Sequence, residues 1–236
     1  MQRFVWALGI VLGVHFGVPG LATAALCSGA CTLVDDNSTV KVDVDTGGDN
    51  NLFVRYLGAG FKIEINYGLI GGVAGGGNAD IAETITIANT SGSTIEDFHF
   101  FQYSNFDLGG AAGDDTVQFI NDNTVRQTGS GTVLNETVVS PQADHFEAAL
   151  HPTTLGYLND ALATTLSDLP GGSLGPGDVT WAYQWDFDLA ASGVGSDFQI
   201  SKDKRMGNNV PEPSTLSVLA LGLAIFAYRR RRQNRA

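Results

Sequence analysis

The side chains able to do chemistry are few and scattered. The chain has four histidines, His15, His99, His145 and His151. His15 lies in an N-terminal apolar run. His99 stands among phenylalanines in Asp97-Phe98-His99-Phe100-Phe101, the setting of a half-buried packing residue. His145 and His151 are six positions apart, which matches neither the i, i+4 pair of a zinc-protease helix nor another metal-ligand spacing. No G-x-S-x-G elbow exposes a serine, and the glycine-rich stretch 71–77 lacks the lysine and following helix of a phosphate loop. No residue is therefore assigned a catalytic role.

Carboxylates are plentiful. Asp43-Val44-Asp45-Thr46-Gly47-Gly48-Asp49 starts like a calcium loop, with oxygen ligands at the first and third positions. Gly47 stands where a third ligand belongs, and the twelfth position is Val54 instead of Glu. Asp43, Asp45 and Asp49 thus form a calcium candidate set beside the plainer reading of a solvated Asp/Gly turn. No other metal or cofactor is expected. Asp114-Asp115 and Asp186/Asp188 add further acids. Glycoside hydrolysis needs two carboxyls about 5–10 Å apart, and only a fold can supply that separation.

The aromatic residues of Trp181-Ala182-Tyr183-Gln184-Trp185-Asp186-Phe187-Asp188-Leu189 recur at every second position. Facing solvent, Trp181, Tyr183 and Trp185 would make a sugar-stacking platform. Facing inward, five large side chains on one strand face fill a sandwich core, the reading favoured here.

Alternation of this kind dominates the middle of the chain and sets the elements that must position these residues. Phe61-Lys62-Ile63-Glu64-Ile65-Asn66-Tyr67 places four apolar residues on one face. Further strands are expected at Leu52 to Leu57, Ile81 to Asn89, Asp97 to Tyr103, Thr116 to Ile120, Thr124 to Thr128, Thr132 to Val139, Phe146 to Leu150 and Asp197 to Ser201. Glycine- and asparagine-rich turns separate them. Leu155, Leu158 and Leu162 recur at helical spacing and predict a turn or two of helix between Pro152 and Leu162. The expected architecture is all-β, an antiparallel β-sandwich of jelly-roll or immunoglobulin-like kind.

Between Ala25 and Val210 there are seven basic and 24 acidic residues, a formal charge of −17. A field of that sign repels nucleic acid and anionic lipid, so nucleic-acid binding is excluded as a function class.

The two ends are written differently. Arg3, the apolar run Phe4 to Phe16, the break at Pro19-Gly20 and the small-residue site Ala22-Thr23-Ala24 form a secretory signal peptide, with a signal helix and cleavage expected after Ala24. Cys27 would be a lipid-attachment site if small residues preceded it, but Leu26 does. Cys27 and Cys31, the only cysteines, enter an oxidising compartment and are expected to form a small disulfide loop.

At the other end, Pro211-Glu212-Pro213 precedes an uncharged, mostly apolar run from Thr215 to Tyr228, closed by Arg229, Arg230, Arg231 and Arg232. A helix of about 14 residues spans roughly 21 Å against a hydrocarbon core of about 30 Å, short for a permanent anchor. The arginines stay cytoplasmic by the positive-inside rule and act as a stop-transfer signal.

This three-part tail resembles the PEP-CTERM sorting domain of exported bacterial proteins. The resemblance implies recognition by an exosortase, a membrane-embedded transpeptidase-like enzyme that cleaves near Pro211, Glu212 and Pro213. It implies passage through the general secretion machinery, a transient inner-membrane intermediate, and a final place on the outer surface or in the extracellular matrix of a Gram-negative cell that makes exopolysaccharide. The ectodomain is similar to PEP-CTERM proteins of unassigned function, on Asp97 to Tyr103, Leu174 to Trp181 and Ile200-Ser201-Lys202-Asp203-Lys204.

The organisation expected is thus a signal peptide (1–24), an ectodomain (25–203), a linker (204–210) and a sorting signal (211–236). A non-enzymatic surface or matrix protein fits best. The alternatives are a carbohydrate-binding module and, less favoured, a glycan-active enzyme.

Overall fold

In a computed structural model, the described residues are 5–10, 41–45, 50–58, 60–71, 78–108, 113–159, 163–168, 172–193 and 196–208. They form β1 (Val5–Ile10), β2 (Lys41–Asp45), β3 (Asn51–Gly58), β4 (Phe61–Gly71), β5 (Ala79–Asn89), β6 (Ile95–Asn105), β7 (Asp115–Asn121), β8 (Thr124–Gly129), β9 (Thr132–Ser140), β10 (His145–Leu150), α1 (Thr153–Leu158), β11 (Leu174–Gly177), β12 (Val179–Leu189) and β13 (Asp197–Asn208). Each strand expected from alternation is present, and the short helix falls inside the expected span.

Two sheets pack face to face. The narrow sheet has the order β1-β6-β12-β10, and the wide sheet the order β11-β7-β8-β9-β13-β5-β4-β3-β2. All the strand pairings are antiparallel except β1 with β6. The all-β sandwich is therefore as expected. Its strand order places the last strand, β13, in the middle of the wide sheet, between the β2-to-β5 meander and the β7-to-β9 meander.

Alternation decides which side chains go inside. Ile63, Ile65 and Tyr67 of β4, Ile81, Ile85 and Ile87 of β5, and Leu134 and Val138 of β9 meet Phe98 and Phe100 of β6 and Trp181, Tyr183 and Trp185 of β12 in one core cluster. Each fully buried aliphatic or aromatic side chain contributes about 1.5–3 kcal/mol relative to exposure. Phe106 stacks on Trp181 with centroids 5.5 Å apart. The opposite face of the narrow sheet is also covered: Phe101, Tyr103 and Ala182 pack against Leu158 of α1 and Leu166. That second layer explains why β12 is buried on both faces from Val179 to Trp185.

Three expectations change. Val5–Ile10 is a strand, not part of a signal helix. It runs parallel to β6 with Val5 opposite His99 and Ile10 opposite Ser104. Val5, Trp6 and Ile10 favour the extended state and Gly9 disfavours a helix, while β6 offers a row of backbone groups that would otherwise be unpaired. The remainder of the signal-peptide run, including Ala22 and Ala24, lies outside the described residues.

The second change concerns the linker. β13 continues to Asn208, through most of the 204–210 span. Strand pairing persists there because Lys204 is fully buried and Met206 packs on the core. The third is that the chain also forms β2 and β11, short strands that alternation did not single out.

Candidate functional site

β13 is central in the wide sheet, so its inward face lies against the centre of the narrow sheet. Alternation puts Phe198, Ile200, Lys202, Lys204 and Met206 on that one face. Two lysines therefore project into the sandwich. Strand register supplies their partners: Lys202 stands opposite Glu83 of β5 and Lys204 opposite Glu136 of β9. All four side chains are buried, at 2% exposure or less.

The Lys202 amine lies 2.9 Å from Glu83 Oε2 and 2.9 Å from Glu136 Oε1. Lys204 contacts Glu83 and sits 3.4 Å from Glu136. Two cations and two anions close the charge balance, the condition under which buried charge is tolerated. The narrow sheet completes the network. Trp181 Nε1 donates to Glu136 Oε2 at 2.9 Å, and Ser104 Oγ donates to the same oxygen at 3.3 Å. Gln102 Nε2 faces both Glu83 oxygens at 3.4 Å, while Gln102 Oε1 accepts from Lys202.

The two lysines are not equivalent. Burial opposes the charged form of both. For Lys202 it prevails over the carboxylates and holds the amine below its usual range. For Lys204 the carboxylates of Glu136 and Glu83 overcome burial and push it up. Burial would raise Glu83, but Lys202 and Lys204 bring its carboxyl down to about 2. Glu136 is lowered against burial by the same two amines. Burial and the nearby Glu83 charge push the Tyr67 hydroxyl well above its normal value. The cluster thus pairs an amine driven toward neutrality with an amide and two carboxylates.

A second polar group lies on the other face of the narrow sheet. Asp186 of β12 bonds His99 Nδ1 at 2.6 Å and sits 3.6 Å from His145 Nε2. His145 Nδ1 in turn meets Asp168 at 2.5 Å, and Asp168 accepts from the Phe146 amide at 3.0 Å. Gln184 donates to both Asp186 oxygens. His99 is half-buried, as a packing residue would be, yet its ring is held by carboxylates instead of phenylalanines. His151 is separate, beside the Tyr103 hydroxyl at 3.2 Å. These residues form a chain and not a converging shell. Among the described residues no three His, Cys, Asp or Glu side chains are placed to hold one ion.

The remaining sequence candidates fall as follows. Trp181, Tyr183 and Trp185 are each 0% exposed. The sugar-stacking platform is thereby overturned, because two packed layers cover the strand that would carry it. Asp115 is buried, and its carboxylate accepts from the Leu108 amide at 3.0 Å and Gln127 at 2.6 Å. Asp114 bonds Ser130 at the surface, and Asp188 accepts from the Asp97 amide. Asp43 and Asp45 fall in β2. Asp49, Cys27, Cys31 and the tail residues Pro211, Glu212, Pro213 and Arg229 to Arg232 lie outside the described residues. A surface depression of about 420 Å³ crosses β3, β4 and β5, lined by Asn51, Phe53, Asn66 and Thr84 among others. Its lining includes no acid, histidine or thiol. Among the described residues no helix is long and apolar enough to cross a membrane.

Sequence reasoning did not single out the Lys–Glu cluster. Its signal was present as charge in an apolar register: Ile81-x-Glu83-x-Ile85, Leu134-x-Glu136-x-Val138 and Ile200-x-Lys202-x-Lys204.

No curated protein matches this chain. The solved structure of a "putative kojibiose phosphorylase from human microbiome" is similar over 80% of this chain at 13% identity and a TM-score of 0.32, and the chain spans 23% of that protein's length. Residues 209–232 match the PEP-CTERM protein-sorting motif. That match takes in the Pro-Glu-Pro sequence, the apolar run and the four arginines, directly after the end of β13. The chain thus carries a PEP-CTERM protein-sorting motif, which implies export and exosortase-mediated processing.

Proposed function

We propose that the sandwich is a non-enzymatic structural or interaction module, delivered by its signal peptide and released by exosortase cleavage into the surface layer or exopolysaccharide matrix of the cell. The observation that carries this reading is the position of the sorting motif, at 209–232, immediately after the central strand of the domain. Whatever is attached or cleaved there acts on the strand that is bonded on both sides and tied by its side chains to the opposite sheet. The polar groups with altered proton affinity support a structural role, because Glu83, Glu136, Lys202 and Lys204 lie in the sealed core and none of the four lines the surface depression.

Deletion of residues 211–236 in the producing organism tests this. The expected result is a folded domain that no longer reaches the surface fraction, together with reduced matrix formation. Unchanged surface deposition and matrix would overturn it.

A further inference from the structure

Gln102, Lys202, Glu136 and Glu83 place an amine, a carboxamide, a base and an acid together in a space closed to water. The Lys202 amine bonds Gln102 Oε1, the oxygen attached to the carbon an amine would attack. Glu136 lies 2.9 Å from that amine. Glu83 lies 3.4 Å from Gln102 Nε2, the nitrogen that would leave. The geometry points to an autocatalytic covalent crosslink: an isopeptide bond between Lys202 Nζ and Gln102 Cδ that joins the wide sheet to the narrow one.

The step balances without any co-reactant. Lys202 gives a proton to Glu136 and attacks Gln102 Cδ as the neutral amine. A tetrahedral centre forms with its oxygen on the former Oε1. Glu83 takes the second proton from the attacking nitrogen and delivers it to Nε2. The Cδ–Nε2 bond breaks, ammonia departs, and the Cδ–Nζ amide remains. The first proton stays on Glu136, so one carboxyl is neutral after the lysine charge is lost, leaving Lys204 against Glu83.

Three physical features favour this chemistry. Burial disfavours charge on Lys202, and a desolvated lysine is the reactive form of that side chain. Fixing amine and amide in one rotamer each converts a bimolecular aminolysis into a unimolecular one, with effective molarities that reach about 10⁵ M and above. Carboxylates within bonding distance of both nitrogens supply general acid–base transfer, worth about 10²–10⁴-fold. Lys204 is excluded as the nucleophile because its amine is directed at Glu83 and held charged. The inference stands independently of the sorting reading. Joined to it, the crosslink would fix to the opposite sheet the strand that leads to the sorting motif.

The test is a tryptic map of the full chain purified from its producing cell and digested after denaturation. Trypsin cuts after Lys62, Arg126, Lys202 and Lys204, with no other Lys or Arg between Lys62 and Lys204. The expected product is one branched species joining 63–126 to 127–204, lighter than the two free peptides by one ammonia. Cleavage after Lys202 should be lost. Fragmentation should place the branch at Gln102 and Lys202. Glu136→Gln should reduce the branched species at least 10²-fold, and Gln102→Met should abolish it while leaving all four charges. Should either variant not fold, the wild-type map alone decides: free 63–126 and 127–202 peptides from folded protein would overturn the proposal.

Discussion

The indole of Trp181 donates a 2.9 Å hydrogen bond to Glu136 Oε2, so a carboxylate on the wide sheet is held by an aromatic side chain on the narrow one. Trp181 is one of the two tryptophans of the aromatic stripe, and Glu136 is one of the two acids that meet Lys202. Apolar packing and the buried charge network are thus one structure, not two.

Replacing Trp181 with Phe removes that donor and leaves Glu136 Oε2 with Ser104 alone. The expected loss is about 1–3 kcal/mol for a charged buried acceptor short of a partner, plus the smaller ring's packing deficit. Urea unfolding would read it as a lower midpoint at unchanged slope. An unaltered midpoint would show that the bond does not hold the two sheets.

Lys204 and Glu83 make the second prediction. Lys204→Met leaves two buried carboxylates against the one amine of Lys202 and should cost about 3–5 kcal/mol. Adding Glu83→Gln to it should cost less than the sum of the two single changes, by about 1–3 kcal/mol, as expected for residues in one network. Additive losses in a double-mutant cycle would contradict the pairing.

Strand alternation made the fold readable. Phe61 to Tyr67 and Trp181 to Leu189 each carry a two-residue period strong enough to fix their inward face, and all ten expected strands are found. The charged cluster was not readable by the same rule. A lysine on an inward face reads as a strand end, and the sequence alone places a linker at 204–210. What keeps the strand going is the opposition of Lys202 to Glu83 and Lys204 to Glu136, pairs separated by 119 and 68 positions in sequence. Long-range pairing of that kind leaves no local pattern. Val5–Ile10 shows the converse: an apolar run long enough for a helix takes strand form where a sheet edge is available.

Acid should weaken the domain. In the unfolded chain the Glu83 carboxyl titrates near 4.5, and in the fold near 2. The unfolded state therefore binds more protons between those values, so the stability due to this group is complete above about pH 4.5 and is lost as pH falls toward 2. Glu136 acts in the same direction before any crosslink forms. Thermal unfolding from pH 5 downward, compared with Glu83→Gln, would show a fall in the parent and a shallower one in the variant. Equal pH dependence in both would contradict the pairing of Glu83 with Lys204.

Trp181 and Trp185 are sealed from solvent, so in a Trp6→Phe variant the protein's tryptophan emission should be blue-shifted and poorly quenched by iodide. Added polysaccharide should leave it unchanged. Efficient quenching in the folded state, or a spectral shift on adding oligosaccharide, would return the aromatic stripe to the surface.

The measurement that bears most directly on the sorting of this protein is the C-terminal sequence of the form recovered from the cell exterior. Cleavage near Pro211-Glu212-Pro213 is expected in a host with an active exosortase, so that Arg229 to Arg232 are missing and the last residues follow closely on β13. Recovery of the exterior form with the arginines still attached in such a host would contradict it.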